Sequence, residues 1–202
     1  MPGEKRPFSK TTTAHYRHFL NDRIRGLKPS PTLELTAKTK ALMAEGKDII
    51  NLTAGEPDFN SIPAACTAGI RAIEEGFTKY TAVDGLSELK KAIITRMESE
   101  SSEIFHENEV IIGNGAKQLI FNALFATLSS GDEVIIPSPY WVSYPDIVKL
   151  LGGKPIIVSV GADQNFKLSA DQLRAAITPQ TKWLILNSPN NPTGAVYSEA
   201  EL

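Results

Sequence analysis

The sequence predicts an α/β protein with a mainly parallel sheet flanked by helices, on three observations. From Glu109 onward, short apolar runs alternate with helical patterns, the rhythm of a parallel sheet with helical crossovers. A glycine turn, Gly113-Asn114-Gly115-Ala116-Lys117-Gln118, joins the apolar run Glu109–Ile112 to an apolar helical segment beginning at Leu119. Three turn-rich loops follow strand candidates, where ligand sites of such sheets tend to lie.

The elements follow in order. Thr32–Glu45 reads as a helix with Gly46 as its stop. Ile49–Leu52 reads as a short strand, and Thr53 to Phe59 as a loop rich in turn residues. Pro63 suits a first helical position; Cys66, Ile70, Ile73 and Phe77 then share one face, and Gly76 marks the end. Thr78–Val83 is extended and turns at Asp84-Gly85, before a helix that places Leu86, Leu89, Ile93 and Met97 on one side. Strands are expected at Val110–Ile112, Glu133–Pro137, Pro155–Val160 and Trp183–Asn187. Helices are expected at Ala116–Leu128, Val142–Leu151 and Ser169–Ala176, the last opened by a Ser169/Gln172 capping box. A second capping box, Ser198 with Glu201, announces a helix just before Leu202, so truncation of a longer chain is expected and the sheet is expected to be incomplete.

The 202 residues, 42% hydrophobic and 22% charged, fit a globular chain with one sizeable core or two modest ones. A net charge of −2 gives no bulk attraction to nucleic acid or to an anionic membrane. No apolar run is long enough to span a bilayer. The lone cysteine, Cys66, cannot form an internal disulfide; it fits a reducing compartment and the role of a small core hydrophobe. With no secretory signal, the expected location is cytoplasmic.

Three loops could carry chemistry. The glycine turn would leave backbone N–H groups unpaired at a helix N-terminus, a ready anion site; it also reads as a plain tight turn. Ser138-Pro139-Tyr140-Trp141 presents aromatic rings to a flat ligand, or packs Trp141 on the sheet. Asn187 to Gly194 is dense in Asn, Pro and Gly: a connector, or a rigid mount for asparagine donors. Pyridoxal phosphate would use all three features. A dinucleotide site fits less well, because Gly113-x-Gly115 meets Gln118 at the third glycine position. The next acids, Asp132 and Glu133, begin a strand instead of ending one.

From about Lys28 onward the chain resembles the N-terminal part of a class I, fold-type I pyridoxal-phosphate-dependent aminotransferase, and within it the bacterial-type aspartate aminotransferases. The resemblance is carried by Asn51 to Phe59, Lys79-Tyr80-Thr81, Asp84-Gly85, Gly113 to Gln118, Pro139 to Pro145 and Asn191-Pro192-Thr193-Gly194, in that order. It implies a partial large domain at residues 61–202 and a segment of the small domain at 29–60 packing outside the sheet; the mostly polar residues 1–28 before it read as a mobile N-terminal arm. It implies pyridoxal 5'-phosphate as cofactor, its phosphate held by the amides of Gly115, Ala116 and Lys117. Trp141 would stack on the ring, and Asn191 would donate to the phenolic oxygen. Gly55 would meet the substrate α-carboxylate through its backbone. Tyr80 would reach the phosphate site of the neighbouring subunit of a homodimer. Lys117, with hydroxyls near Ser30 and Thr32, would contact a distal substrate carboxylate, or else assist the phosphate as a solvated cation.

The implied reaction moves an amino group from an amino acid, aspartate first, to a 2-oxo acid, 2-oxoglutarate first. A prephenate or aromatic aminotransferase is the alternative within the family, and a non-catalytic pseudoenzyme or dimerising fragment the alternative outside it. The resemblance places the Schiff-base lysine beyond Leu202, so no catalytic residue and no metal ligand is assigned here. Lys10, in Phe8-Ser9-Lys10-Thr11, imitates that lysine's context but precedes every other motif.

Overall fold

The computed structural model describes residues 19–27, 31–53, 55, 57–101 and 103–202. They form two compact units, one of the described residues up to 34 together with 124–202, and one of the described residues from 35 to 123.

The first unit is organised around one strand, β1 (Glu133–Ser138). It lies between β2 (Lys154–Ser159) and β3 (Thr181–Leu184), giving the order β2-β1-β3 with both pairings parallel. The β1–β2 register is unbroken from Glu133 opposite Lys154 to Ser138 opposite Ser159. The β1–β3 ladder shifts between Glu133 and Val134, so that Val134 faces Trp183 and Ile135 faces Leu184. Val134, Ile135 and Ile136 are completely buried. An unbroken apolar run is what a central parallel strand needs, because both of its faces are covered.

Helix α1 (Asp22–Arg25) is capped by the Asn21 side chain and touches α6 (Ser143–Leu150) through Arg23, whose guanidinium donates to the Leu150 carbonyl at 3.2 Å. Between β1 and β2, α6 buries Tyr144, Pro145, Ile147 and Val148. Leu124 and Val160 complete the buried apolar set of this unit. Helix α7 (Ala170–Ala176) links β2 to β3 and opens with the expected capping box: Gln172 N–H donates to Ser169 Oγ (3.2 Å), and Ser169 N–H to Gln172 Oε1 (3.0 Å).

The second unit is helical among the described residues: most of α2 (Pro31–Ala44), then α3 (Pro63–Glu74), α4 (Ser87–Glu100) and the first turns of α5 (Ala116–Thr127). Gly76 ends α3 as expected. Its φ of +79° lets its N–H reach Ile73 O and the Phe77 N–H reach Ala72 O, the paired bonds of a Schellman stop. Gly46 closes α2 with the same pair of bonds, to Met43 O and Leu42 O.

Three expectations are corrected. Ile49–Leu52 forms no strand, and Ile50 and Leu52 are each 88% exposed. Val110–Ile112 forms no strand either; its Ile112 N–H donates to Asp84 O at 3.0 Å. A strand exists only with a partner, and among the described residues these short runs have no ladder to join. Cys66 is exposed, not in a core, with its thiol toward Ser61 O at 3.6 Å. The periodicity of α3 correctly marks an apolar face, but Ile70, Ile73 and Phe77 on it are exposed too.

Carboxylates tie the first unit together and make it acid-sensitive. Buried Glu133 accepts from Lys154 Nζ (2.8 Å) and Thr178 Oγ1 (2.7 Å), which hold its carboxyl below the ordinary range, the lysine contributing most. Glu201 is pulled from 4.5 down to about 2, first by the Lys167 ammonium and then by the Ser198 N–H and hydroxyl. The unfolded chain takes up these protons at a higher pH than the folded one. This stability is therefore complete above about 4.5 and lost as pH falls towards about 2. Melting temperature is expected to stay level from neutral pH to about 5 and to fall below it. Lys167→Met removes the largest share of the part due to Glu201, the Ser198 bonds remaining; an unchanged acid profile in this variant would refute the assignment.

Candidate functional site

Two loops leave the C-terminal ends of adjacent parallel strands, the usual place for a ligand in such a sheet. The first follows β1, through the cis Ser138–Pro139 peptide, to Tyr140 and Trp141. Trp141 is half-buried, and its ring meets Tyr144 edge-on, with centroids 5.4 Å apart and planes at 87°. The buried Tyr144 ring at the start of α6 thus props the indole, an arrangement aromatic pairs favour. Burial also pushes the Tyr144 hydroxyl pKa up.

The second loop follows β3. Asn187 Oδ1 accepts from the Asn191 N–H at 3.1 Å, and the turn is closed by Asn190 N–H to Ala195 O (2.9 Å) and Gly194 N–H to Asn190 O (2.8 Å). Asn191 is exposed, and its side-chain amide has no hydrogen-bond partner among the described residues. Beneath the two loops runs a narrow cleft lined by Ile136, Tyr144, Phe166, Ile185, Asn190 and Tyr197. The Tyr197 hydroxyl accepts from the Leu168 N–H at 2.6 Å, which fastens the chain beyond Phe166.

Asn190 was not singled out from the sequence, and it is the residue that joins the loops. Its Nδ2 donates to Pro139 O at 3.1 Å and to Thr193 Oγ1 at 2.8 Å. The available signal was the doubled asparagine on a proline-flanked turn. Sequence alone gives no means of telling which of the two amides faces inward.

The glycine turn lies in the other unit. Gly115, at φ +82°, starts the twelve-residue helix α5; its N–H donates to Gly113 O at 2.8 Å, and its carbonyl accepts from the Gln118 N–H at 3.2 Å. The Gln118 side chain folds back to accept from the Asn114 N–H at 2.5 Å. A Cβ built on Gly115 would meet nothing within 4 Å. Ala116 and Lys117 are exposed there. A helix start with an adjacent lysine is a donor set suited to a phosphate dianion.

The other expected residues are each placed locally. Tyr80 lies between α3 and α4, outside any helix or strand, and is fully exposed. Gly55 is exposed, after a loop in which Asn51 Oδ1 accepts from the Thr53 N–H (3.1 Å) and hydroxyl (2.8 Å). Thr32 is exposed on α2. Ser30 and Lys10 lie outside the described residues. No cluster that could hold a metal ion occurs among the described residues, and none of their helices is long and apolar enough to cross a membrane.

Comparison with known proteins gives one consistent result. The profile of the family "Aminotransferase class I and II" matches residues 47–202. An aspartate/prephenate aminotransferase of Cereibacter sphaeroides is 54% identical over 184 residues, 91% of this chain and 46% of that protein. The chain thus spans about half the length of the curated relatives it matches. The crystal structure of an aspartate aminotransferase from Rhizobium meliloti superposes with a TM-score of 0.85 at 47% identity, over 90% of this chain and 46% of that one. An aspartate aminotransferase from Thermus thermophilus with maleate gives 0.87 at 42% identity, over 90% and 47%.

Proposed function

This chain belongs to the class I and II aminotransferase family, and we propose that it provides the cofactor-holding half of a pyridoxal-phosphate-dependent aminotransferase acting on aspartate and 2-oxoglutarate. The observation that carries this reading is the pair of loops at the ends of β1 and β3. They present one propped indole and one uncommitted amide, a donor set that fits an aromatic ring bearing a phenolic oxygen. Bound pyridoxal phosphate supplies an electron sink for the carbon that loses its proton.

The chain's own residues bind and orient. The Gly115, Ala116 and Lys117 amides, at the exposed start of α5, would hold the phosphate dianion, the Gly115 N–H exchanging its bond to Gly113 O for one to the ligand. Trp141 covers one face of the ring, and the Asn191 amide donates to the phenolic oxygen, favouring its deprotonated form. The Gly55 backbone receives the substrate α-carboxylate. The Lys117 ammonium, assisted by hydroxyls near Ser30 and Thr32, receives the distal carboxylate of an acidic substrate or supports the phosphate. A relative bound to maleate, itself a dicarboxylate, supports the first of these. Tyr80, fully exposed, reaches the phosphate site of a second copy in a homodimer. The arm at 1–28, the segment at 29–60 and the cofactor-binding part at 61–202 are the corresponding division. The single cysteine supports a cytoplasmic setting.

Prephenate is the second acceptor to test, because the Cereibacter sphaeroides relative carries that name. In the intact protein loaded with pyridoxal phosphate, aspartate and 2-oxoglutarate are expected to yield oxaloacetate and glutamate. Faster amino transfer to prephenate than to 2-oxoglutarate would move the assignment to the second substrate. An intact dimer that takes up no cofactor and turns over neither pair would leave a non-catalytic role.

A further inference from the structure

The side chain of Asn190 spends both of its N–H groups on oxygens that lie on different loops. One is the carbonyl of Pro139, 51 residues away at the exit of β1; the other is Thr193 Oγ1 within its own turn. A side-chain amide nitrogen has only two such donors, so the group is saturated. Its neighbours in sequence are used differently. Asn187 accepts from the Asn191 N–H, and the Asn191 amide is left exposed. Backbone bonds on either side of Asn190 already close the turn, so the side chain is not needed to make it.

We propose that Asn190 is a positioning residue: by fastening the Pro139 carbonyl to the turn that carries Asn191, it sets where Trp141 and Asn191 stand relative to each other. This rests on the reading of those two residues as the ring-facing pair. Trp141 lies two residues beyond Pro139, and Asn191 directly follows Asn190. The clamp therefore acts at the base of both side chains. A shift of a few tenths of an ångström there moves the Asn191 donor off the phenolic oxygen while leaving the sheet intact. The oxygen then holds its proton-free form less well.

Asn190→Asp keeps the shape of the side chain but turns its amide nitrogen into an oxygen, which can still accept from the Thr193 hydroxyl and is left facing the Pro139 carbonyl, so that the bond between the loops is lost. In the intact protein, with pyridoxal phosphate as the titrant, N190D is expected to bind about tenfold more weakly, the order of one lost charge-assisted bond. The pH midpoint of the bound cofactor's visible absorbance is expected to rise by about half a unit or more, because the donor to its deprotonated oxygen is displaced. Should N190D fail to accumulate, Thr193→Val removes one of the two acceptors, and a smaller rise in the same midpoint is expected. A purely structural role would lower the melting temperature and leave midpoint and affinity at their wild-type values; that result overturns the proposal. If the wild-type protein binds pyridoxal phosphate and only the variants are unmoved, the clamp alone is wrong. If the wild-type protein takes up none, the function and the clamp fall together.

Discussion

Ile135→Ala is expected to destabilise the protein by about 3–5 kcal/mol, the upper part of the range for truncating a buried aliphatic side chain. Ile135 is 0% exposed and sits in the middle of the central strand, with Ile156 and Leu184 as its partners on either side. Its carbonyl also accepts from the Ile185 N–H at 3.0 Å. Two parallel ladders pin the backbone around the side chain, so the space left by the truncation cannot close by a strand shift. The control is Ile157→Ala on β2, a residue 41% exposed, for which about 1 kcal/mol is expected because less apolar surface leaves water there. Denaturant midpoints of the two variants of the intact protein decide the matter. Equal losses would mean that β1 is not the strand around which this unit is built.

Asn191→Ala is expected to lower affinity for pyridoxal phosphate by about 10- to 100-fold, the loss of one hydrogen bond to a charged oxygen at about 1.5–3 kcal/mol. The melting temperature without cofactor should hardly change, because the side chain is exposed and makes no hydrogen bond among the described residues. That combination separates Asn191 from its neighbour Asn190, whose side chain makes two bonds to the fold itself. Unchanged cofactor affinity in Asn191→Ala would show that its amide does not face the ring.

The difference between these two asparagines shows how far the site can be read from the chain. Trp141 and Asn191 were reachable because local signals and family order both point to them: an aromatic pair after one strand, an asparagine before Pro-Thr-Gly after another. The clamp was not reachable, because its acceptor lies 51 residues away. Glu133 is a similar case. Its charge and position are plain in the sequence, but the hydroxyl of Thr178, 45 residues on, is what completes its pairing.

The sequence by itself determined the α/β class, most helix limits and the family. These depend on signals confined to one or two turns of chain: the Ser169/Gln172 box, the glycine stops at Gly46 and Gly76, and the ordered motifs around Gly113–Gln118, Trp141 and Asn191. Only the tertiary structure decided which apolar runs become strands, the order β2-β1-β3, the exposure of Cys66, and the fastening of one loop to another by Asn190. The physical reason is the range of the interactions. Caps and stops satisfy backbone groups with neighbours in sequence. A strand, a buried charge or a loop clamp is made by a partner that only folding brings near.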